Sequence, residues 1–161
     1  MKKLAILSAG AALLLYAVPA FANKPNGPAA YNGLNKGNSE VQHLELYEKD
    51  ANWQPVKGGA WGKMTFDSDS YVFNGHGLEP NTKYALVVYD QDGEPDAWPG
   101  SGPRLGTGMT NAGGNLNLSG ELVALNQAKV WLVLASDVNA AGNLTAWHPS
   151  DYLFEYNRVT N

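Results

Sequence analysis

Between positions 90 and 96 the chain reads Asp90-Gln91-Asp92-Gly93-Glu94-Pro95-Asp96, which sets four carboxylates at every second residue around a glycine. Hard cations such as Ca²⁺ take six to eight oxygens, and alternating carboxylates on a Gly-containing turn supply several of them. Asp90, Asp92, Glu94 and Asp96 are therefore the candidate metal ligands, with calcium as the cation. The run departs from the twelve-residue calcium loop, because Gly93 comes early, Pro95 stiffens the turn and no Glu stands at the twelfth position. The competing reading is a solvated acidic loop whose charges only repel one another.

A second group is aromatic. Trp53, Trp98 and Trp147, with Tyr31, stand among turn-forming residues. A flat exposed ring beside polar groups is what a sugar-binding surface uses, since its apolar face covers the C–H face of a pyranose. Trp98, in Trp98-Pro99-Gly100-Ser101-Gly102, and Trp147, in Ala146-Trp147-His148-Pro149, are the candidate ligand-binding residues. The alternative is that each Trp folds over the end of the core as a lid, because Trp is mostly buried on average.

Nothing in the sequence spells a catalytic site. His43, His76 and His148 are scattered, and no Gly-x-Ser-x-Gly elbow or His-Glu-x-x-His pair occurs. Carboxylate pairs for glycoside hydrolysis exist by number only, and number is not geometry. Zero cysteines exclude a thiolate nucleophile, a Cys-based zinc site, an iron–sulfur centre, a disulfide framework and a lipid attached through Cys. A formal charge of −4 gives no reason to expect nucleic acid as a partner. The expectation is a protein that is not an enzyme.

The elements that would position these residues begin with an address. Lys2 and Lys3 precede an apolar run at 4–18, Pro19 breaks it, and Ala20-Phe21-Ala22 supplies small residues at both positions a signal peptidase reads. As a helix the run would cover about 22 Å, short of a hydrocarbon core of roughly 30 Å. Residues 1–22 therefore read as a signal peptide, with no membrane segment after its cleavage. Export to the periplasm, the cell surface or the medium follows, and an exported acidic chain without disulfides suits a prokaryote. Residues 23–39, rich in Asn, Gly, Pro and Lys, read as a flexible polar arm or a tether that pairs with a neighbour.

Residues 40–161 read as one β-domain. Period-2 alternation predicts strands over 41–49, 61–67, 71–74, 83–89, 104–110, 115–119, 129–136 and 152–156. These runs are dense in Val, Tyr, Trp, Phe and Leu, which suit a half-buried pleated surface. Asp67-Ser68-Asp69-Ser70 and Asn111-Ala112-Gly113-Gly114 read as tight hairpin connections. Alternation assigns Met64 with Phe66, Tyr71 with Phe73, and Tyr84 with Leu86 and Val88 to core faces. Leu116 with Leu118, Val130 with Leu132 and Leu134, and Tyr152 with Phe154 and Tyr156 form further rows. The stretch Val130-Trp131-Leu132-Val133-Leu134 is apolar on both faces, so it is expected to be central, with Trp131 and Val133 covered by another sheet, a loop or a partner. Leu44 and Leu46 would point inward from 41–49, a strand free to pair within its own domain or to extend a neighbour's sheet.

The stretch Gly77-Leu78-Glu79-Pro80-Asn81-Thr82-Lys83-Tyr84-Ala85-Leu86-Val87-Val88 resembles the corner between strands E and F of fibronectin type III and related immunoglobulin-like domains. That resemblance implies an antiparallel two-sheet sandwich. In it Leu78 plugs the bottom of the core, Pro80 fixes φ, and the Tyr84 hydroxyl returns to the upstream backbone as a tyrosine corner. Trp98-Pro99-Gly100, Leu105-Gly106-Thr107-Gly108, Thr110-Asn111-Ala112, Val130 to Leu134 and Asp151-Tyr152-Leu153-Phe154-Glu155-Tyr156 are similar to stretches of exported archaeal and bacterial β-proteins of unassigned activity. The Gly-Leu-x-Pro segment also resembles copper–zinc superoxide dismutase-like sandwiches. Their ligand histidines are missing here, because no His lies between His76 and His148.

The expected product is an exported all-β sandwich with a flexible N-terminal arm. It would act as a structural or interaction protein of the cell surface, with other protein subunits, copies of itself included, as partners. The alternative is a non-catalytic module binding extracellular polysaccharide or calcium.

Overall fold

The computed structural model describes residues 41–89, 102–122, 125 and 128–156. Eight strands follow in chain order: β1 (Gln42–Tyr47), β2 (Trp61–Phe66), β3 (Ser70–His76), β4 (Lys83–Tyr89), β5 (Arg104–Met109), β6 (Leu116–Glu121), β7 (Lys129–Leu134) and β8 (Leu153–Glu155). Each lies within or overlaps one of the eight runs where alternation predicts a strand. No α-helix occurs among the described residues. Every strand pairing among the described residues is antiparallel.

The strands form one sheet in the order β5-β4-β7-β8-β1-β2-β3-β6, almost closed into a barrel, instead of the two separate layers of an immunoglobulin-like sandwich. The three residues of β8 are responsible. Phe154 is the register partner of Trp131 on β7 and of Tyr47 on β1, so β8 stitches β5-β4-β7 to β1-β2-β3-β6. Strand β1 is consequently not an edge; β2 and β8 flank it within the same domain.

On the opposite side β5 and β6 approach without a ladder, so the hydrogen-bonded turn at Asn111 to Gly114 joins two strands that do not pair with each other. Glycine permits that approach. A Cβ added at Gly108 would lie 2.6 Å from Leu118 Cδ2, and one at Gly106 would lie 2.4 Å from the Tyr71 hydroxyl oxygen. That hydroxyl is buried without a hydrogen-bond partner among the described residues, and burial pushes its pKa up to about 12.

The barrel interior holds Leu44, Leu46, Met64, Phe66, Tyr71, Phe73, Tyr84, Leu86, Val88, Leu116, Leu118, Val130, Leu132 and Leu153. A second core lies outside the wall, where Ala85, Val87 and Tyr89 of β4 and Val133 of β7 meet Val138, Leu144, Tyr152 and Phe154. The chain between β7 and β8, residues 135–152, is therefore the cover that the doubly apolar strand requires. Alternation misassigns the face of β8. Leu153 enters the inner core, Tyr152 and Phe154 pack in the outer one, and Tyr156 is 62% exposed.

Three turns repeat one chemistry. In Asp50-Ala51-Asn52-Trp53-Gln54, Asn111-Ala112-Gly113-Gly114-Asn115 and Asn139-Ala140-Ala141-Gly142-Asn143, the first side-chain Oδ1 accepts the N–H groups two and four residues on. The first backbone N–H also donates to the fifth carbonyl in each. Asx side chains offer this local alternative to a ladder. The fourth residue of each turn is left-handed, with φ of 60° at Trp53, 69° at Gly114 and 90° at Gly142. Glycine adopts that conformation freely, whereas a residue with a Cβ gives up about 1–2 kcal/mol. Trp53 alone of the three carries the strain.

At the corner after β3, Leu78 and Tyr84 are buried, and the Glu79 backbone N–H donates to the Tyr84 hydroxyl oxygen at 3.3 Å. Pro80 is exposed, and its carbonyl accepts the Thr82 hydroxyl. The buried Thr110 hydroxyl donates to the Glu79 carbonyl at 2.6 Å, fastening this corner to the chain after β5. Tyr84→Phe should cost about 1 kcal/mol of unfolding free energy in urea melts. An unchanged midpoint would remove that hydrogen bond from the stability account.

Candidate functional site

Register assembles an aromatic belt on the outside of the barrel. Trp131 of β7 lies opposite Phe154 of β8, Phe154 opposite Tyr47 of β1, Tyr47 opposite Trp61 of β2, and Trp61 opposite His76 of β3. Strands sit about 4.8 Å apart, so five in a row carry this belt over roughly 19 Å. The neighbours in sequence fix which way it faces. Leu46, Gly62 and Gly75 border the interior, so Tyr47, Trp61 and His76 point away from it. Trp61 is 42% exposed and stacks on the His76 ring at 4.7 Å with a tilt of 34°. His76 Nδ1 lies 2.9 Å from Asn115 Oδ1, which holds the imidazole in place.

Two further rings extend the belt outward. Trp53 meets Phe154 edge to face at 5.1 Å and is 53% exposed, and Tyr156 meets Tyr47 edge to face at 6.2 Å. The Tyr47 hydroxyl donates to Glu45, a bond that is the largest contribution raising its pKa. Lys49 Nζ lies 5.9 Å from the Trp53 ring centre and 6.0 Å from that of Phe154, within cation–π range, while donating to the Glu155 carbonyl at 2.9 Å. Lys49, Asp50, Ala51, Trp53, Pro149 and Phe154 enclose a cleft of about 180 Å³.

Behind the belt, Glu155 is buried. Its carboxylate accepts a hydrogen bond from the Trp131 side chain, whereas Oε2 has no partner among the described residues. Burial pushes its pKa up to about 7, against the opposing pull of its own backbone amide, Lys49, Lys129 and Trp131.

Next to the belt, 135–152 is tied down by a carboxylate–imidazole pair. Asp137, in the short 3-10 turn Ala135–Asp137, is buried and accepts from His148 Nδ1 at 2.8 Å, from the Tyr152 hydroxyl at 2.5 Å and from the Ser136 hydroxyl at 3.0 Å. Burial pushes the Asp137 carboxyl up, but hydrogen bonds from Tyr152, His148 and Ser136 outweigh it and leave the pKa below its ordinary value. The Asp137 hydrogen bond raises His148. Burial, then Asp137, raises Tyr152. The His148 backbone N–H also donates to the Tyr152 hydroxyl oxygen at 3.2 Å, so the pair clasps the two ends of this segment together. His43 Nδ1 lies 3.1 Å from Thr65 Oγ1, and burial lowers its pKa.

Of the sequence-predicted site residues, Trp147 is half-buried against Trp131, Tyr152 and Phe154, closer to a lid than to a displayed platform. Trp98 and the carboxylates Asp90, Asp92, Glu94 and Asp96 lie outside the described residues. Among the described residues no three His, Asp or Glu side chains gather as a metal cluster. Sequence reasoning missed the belt, whose members come from five strands, and it missed the turn repeat, which the shared Asx-Ala start of the three pentapeptides signals. Comparison with known proteins returns no matching family model, no matching curated protein and no matching solved structure.

Proposed function

We propose that this chain is an exported, non-catalytic interaction protein of the cell surface that holds its partner on the outer aromatic belt. The observation that carries this reading is the in-register row Trp131, Phe154, Tyr47, Trp61 and His76, with Trp53 and Tyr156 standing exposed upon it. Trp53, Trp61 and Tyr156 are the exposed rings on this row, and large rings with polar tips are the groups that dominate interface energetics. The leader pattern at 1–22 supports export, and the polar arm at 23–39 supplies reach to a neighbouring subunit.

Sedimentation of the secreted protein with the surface fraction of the cells that produce it, and sedimentation velocity of the protein alone, test this reading. Trp61→Ala combined with Tyr156→Ser should weaken whichever association is seen by about tenfold or more, in keeping with interface hot spots. The melting temperature should stay within a few degrees. Undiminished association in the double variant would remove the belt as the contact surface.

A further inference from the structure

We propose that the cleft formed by Trp53, Phe154 and Pro149, with Lys49 and Asp50 on its rim, is a subsite for one pyranose ring of a neutral polysaccharide. This rests on the belt being the contact surface and names the chemistry that would lie upon it.

The backbone supplies the first argument. In the two sister turns the left-handed position is Gly114 and Gly142, and here it is Trp53. Strain kept at an exposed bulky residue marks a position held for what the side chain meets. The indole meets Phe154 edge to face and Lys49 Nζ at 5.9 Å, and it remains 53% exposed. The indole and Pro149 both line the cleft.

The rim supplies the second. Lys49 Nζ is held by the Glu155 carbonyl and by two rings, which leaves N–H donors for a ligand. Asp50 Oδ1 is consumed by the N–H groups of Asn52 and Gln54, while no hydrogen bond to its Oδ2 occurs among the described residues. A fixed cationic donor and a free carboxylate oxygen on neighbouring residues match a pair of adjacent sugar hydroxyls, each of which both donates and accepts. The carboxylate, on a chain with a net negative charge, argues for a neutral sugar over a uronate or sulfate. Beyond the cleft the belt continues one ring per strand, and a strand spacing of about 4.8 Å is close to the length of one sugar residue in an extended chain.

The test is retention of the full chain on insoluble cellulose, chitin, xylan, mannan and starch, with melting recorded in parallel. The wild type should be retained on at least one of them. Trp53→Gly, which keeps the turn and relieves its backbone, should weaken that retention at least tenfold without lowering the melting temperature by more than a few degrees. Lys49→Met, which keeps the apolar stem and removes the donor, should weaken it at least threefold. Equal retention of Trp53→Gly and wild type would overturn the subsite. Wild type that ignores all five glycans yet still associates with the cell-surface fraction would overturn the sugar and leave the interaction reading standing. Wild type that associates with nothing would overturn both.

Discussion

At pH 8 the Glu155→Gln protein should be more stable than the wild type by about 3 kcal/mol, and at pH 4.5 the two should nearly coincide. The figure is the rise of the Glu155 pKa from 4.5 to about 7, with each unit equivalent to about 1.4 kcal/mol. A carboxyl whose pKa is raised by folding holds its proton more tightly in the native state than in the unfolded chain. Its favourable contribution is therefore complete below pH 4.5 and is lost as pH climbs through about 7. Above that pH a charge sits in the wall behind the belt with Oε2 unpartnered. The His148–Asp137 clasp bends the profile the same way. The raised His148 contributes below its ordinary value and loses that contribution as pH rises through the folded value. The lowered Asp137 contributes above its ordinary value and fails only on strong acidification. Wild type is thus expected to be most stable in mild acid. Urea melts from pH 4.5 to 8.5 read all of this, and parallel curves for wild type and Glu155→Gln would refute the placement of that carboxyl.

Alanine at Gly114 and at Gly142 is expected to be severely destabilising, by about 3 kcal/mol or more each, where Trp53→Gly is close to neutral. The left-handed backbone alone accounts for about 1–2 kcal/mol. The remainder is collision with backbone, which cannot rotate away: a Cβ at Gly114 would lie 2.2 Å from the Leu78 carbonyl oxygen, and one at Gly142 would lie 1.9 Å from the Gly102 carbonyl oxygen. Each clash falls on a hinge of the fold. Leu78 N–H donates to the Gly114 carbonyl beneath the inner core, and the Tyr89 hydroxyl donates to the Gly142 carbonyl beneath the outer one. Trp53→Gly instead relieves backbone strain while giving up the contact with Phe154, two changes of opposite sign and similar size. Denaturant midpoints of the three variants measured side by side decide the matter. If Gly142→Ala melts like wild type, then 135–152 is not docked on β4 as described.

The strands were legible because a pleat puts successive side chains on opposite faces, so alternation, together with β-forming residues bounded by turn clusters, marked all eight. The turns were half legible. Asn, Asp and Gly announced that the chain reverses, but the return of one pentapeptide geometry three times, once with Trp53 in glycine's place, needed backbone angles. Alternation failed at β8. Three residues are too few to show which face is inward when both sides of the strand are apolar, as with Leu153 inside and Phe154 outside.

Local chemistry along the chain determined that this protein is built from antiparallel strands, that β7 is buried on both faces, and that turns are closed by Asx side chains. Those properties depend on neighbours a few residues apart. Tertiary structure decided everything that depends on register. It joined two groups of strands into one barrel through Phe154, brought Asp137 to His148 across eleven positions, buried Glu155 beside Trp131, and lined up five aromatic rings from five strands. A shift of one residue in any of those ladders would turn its ring into the core, so the belt exists only as a consequence of pairing.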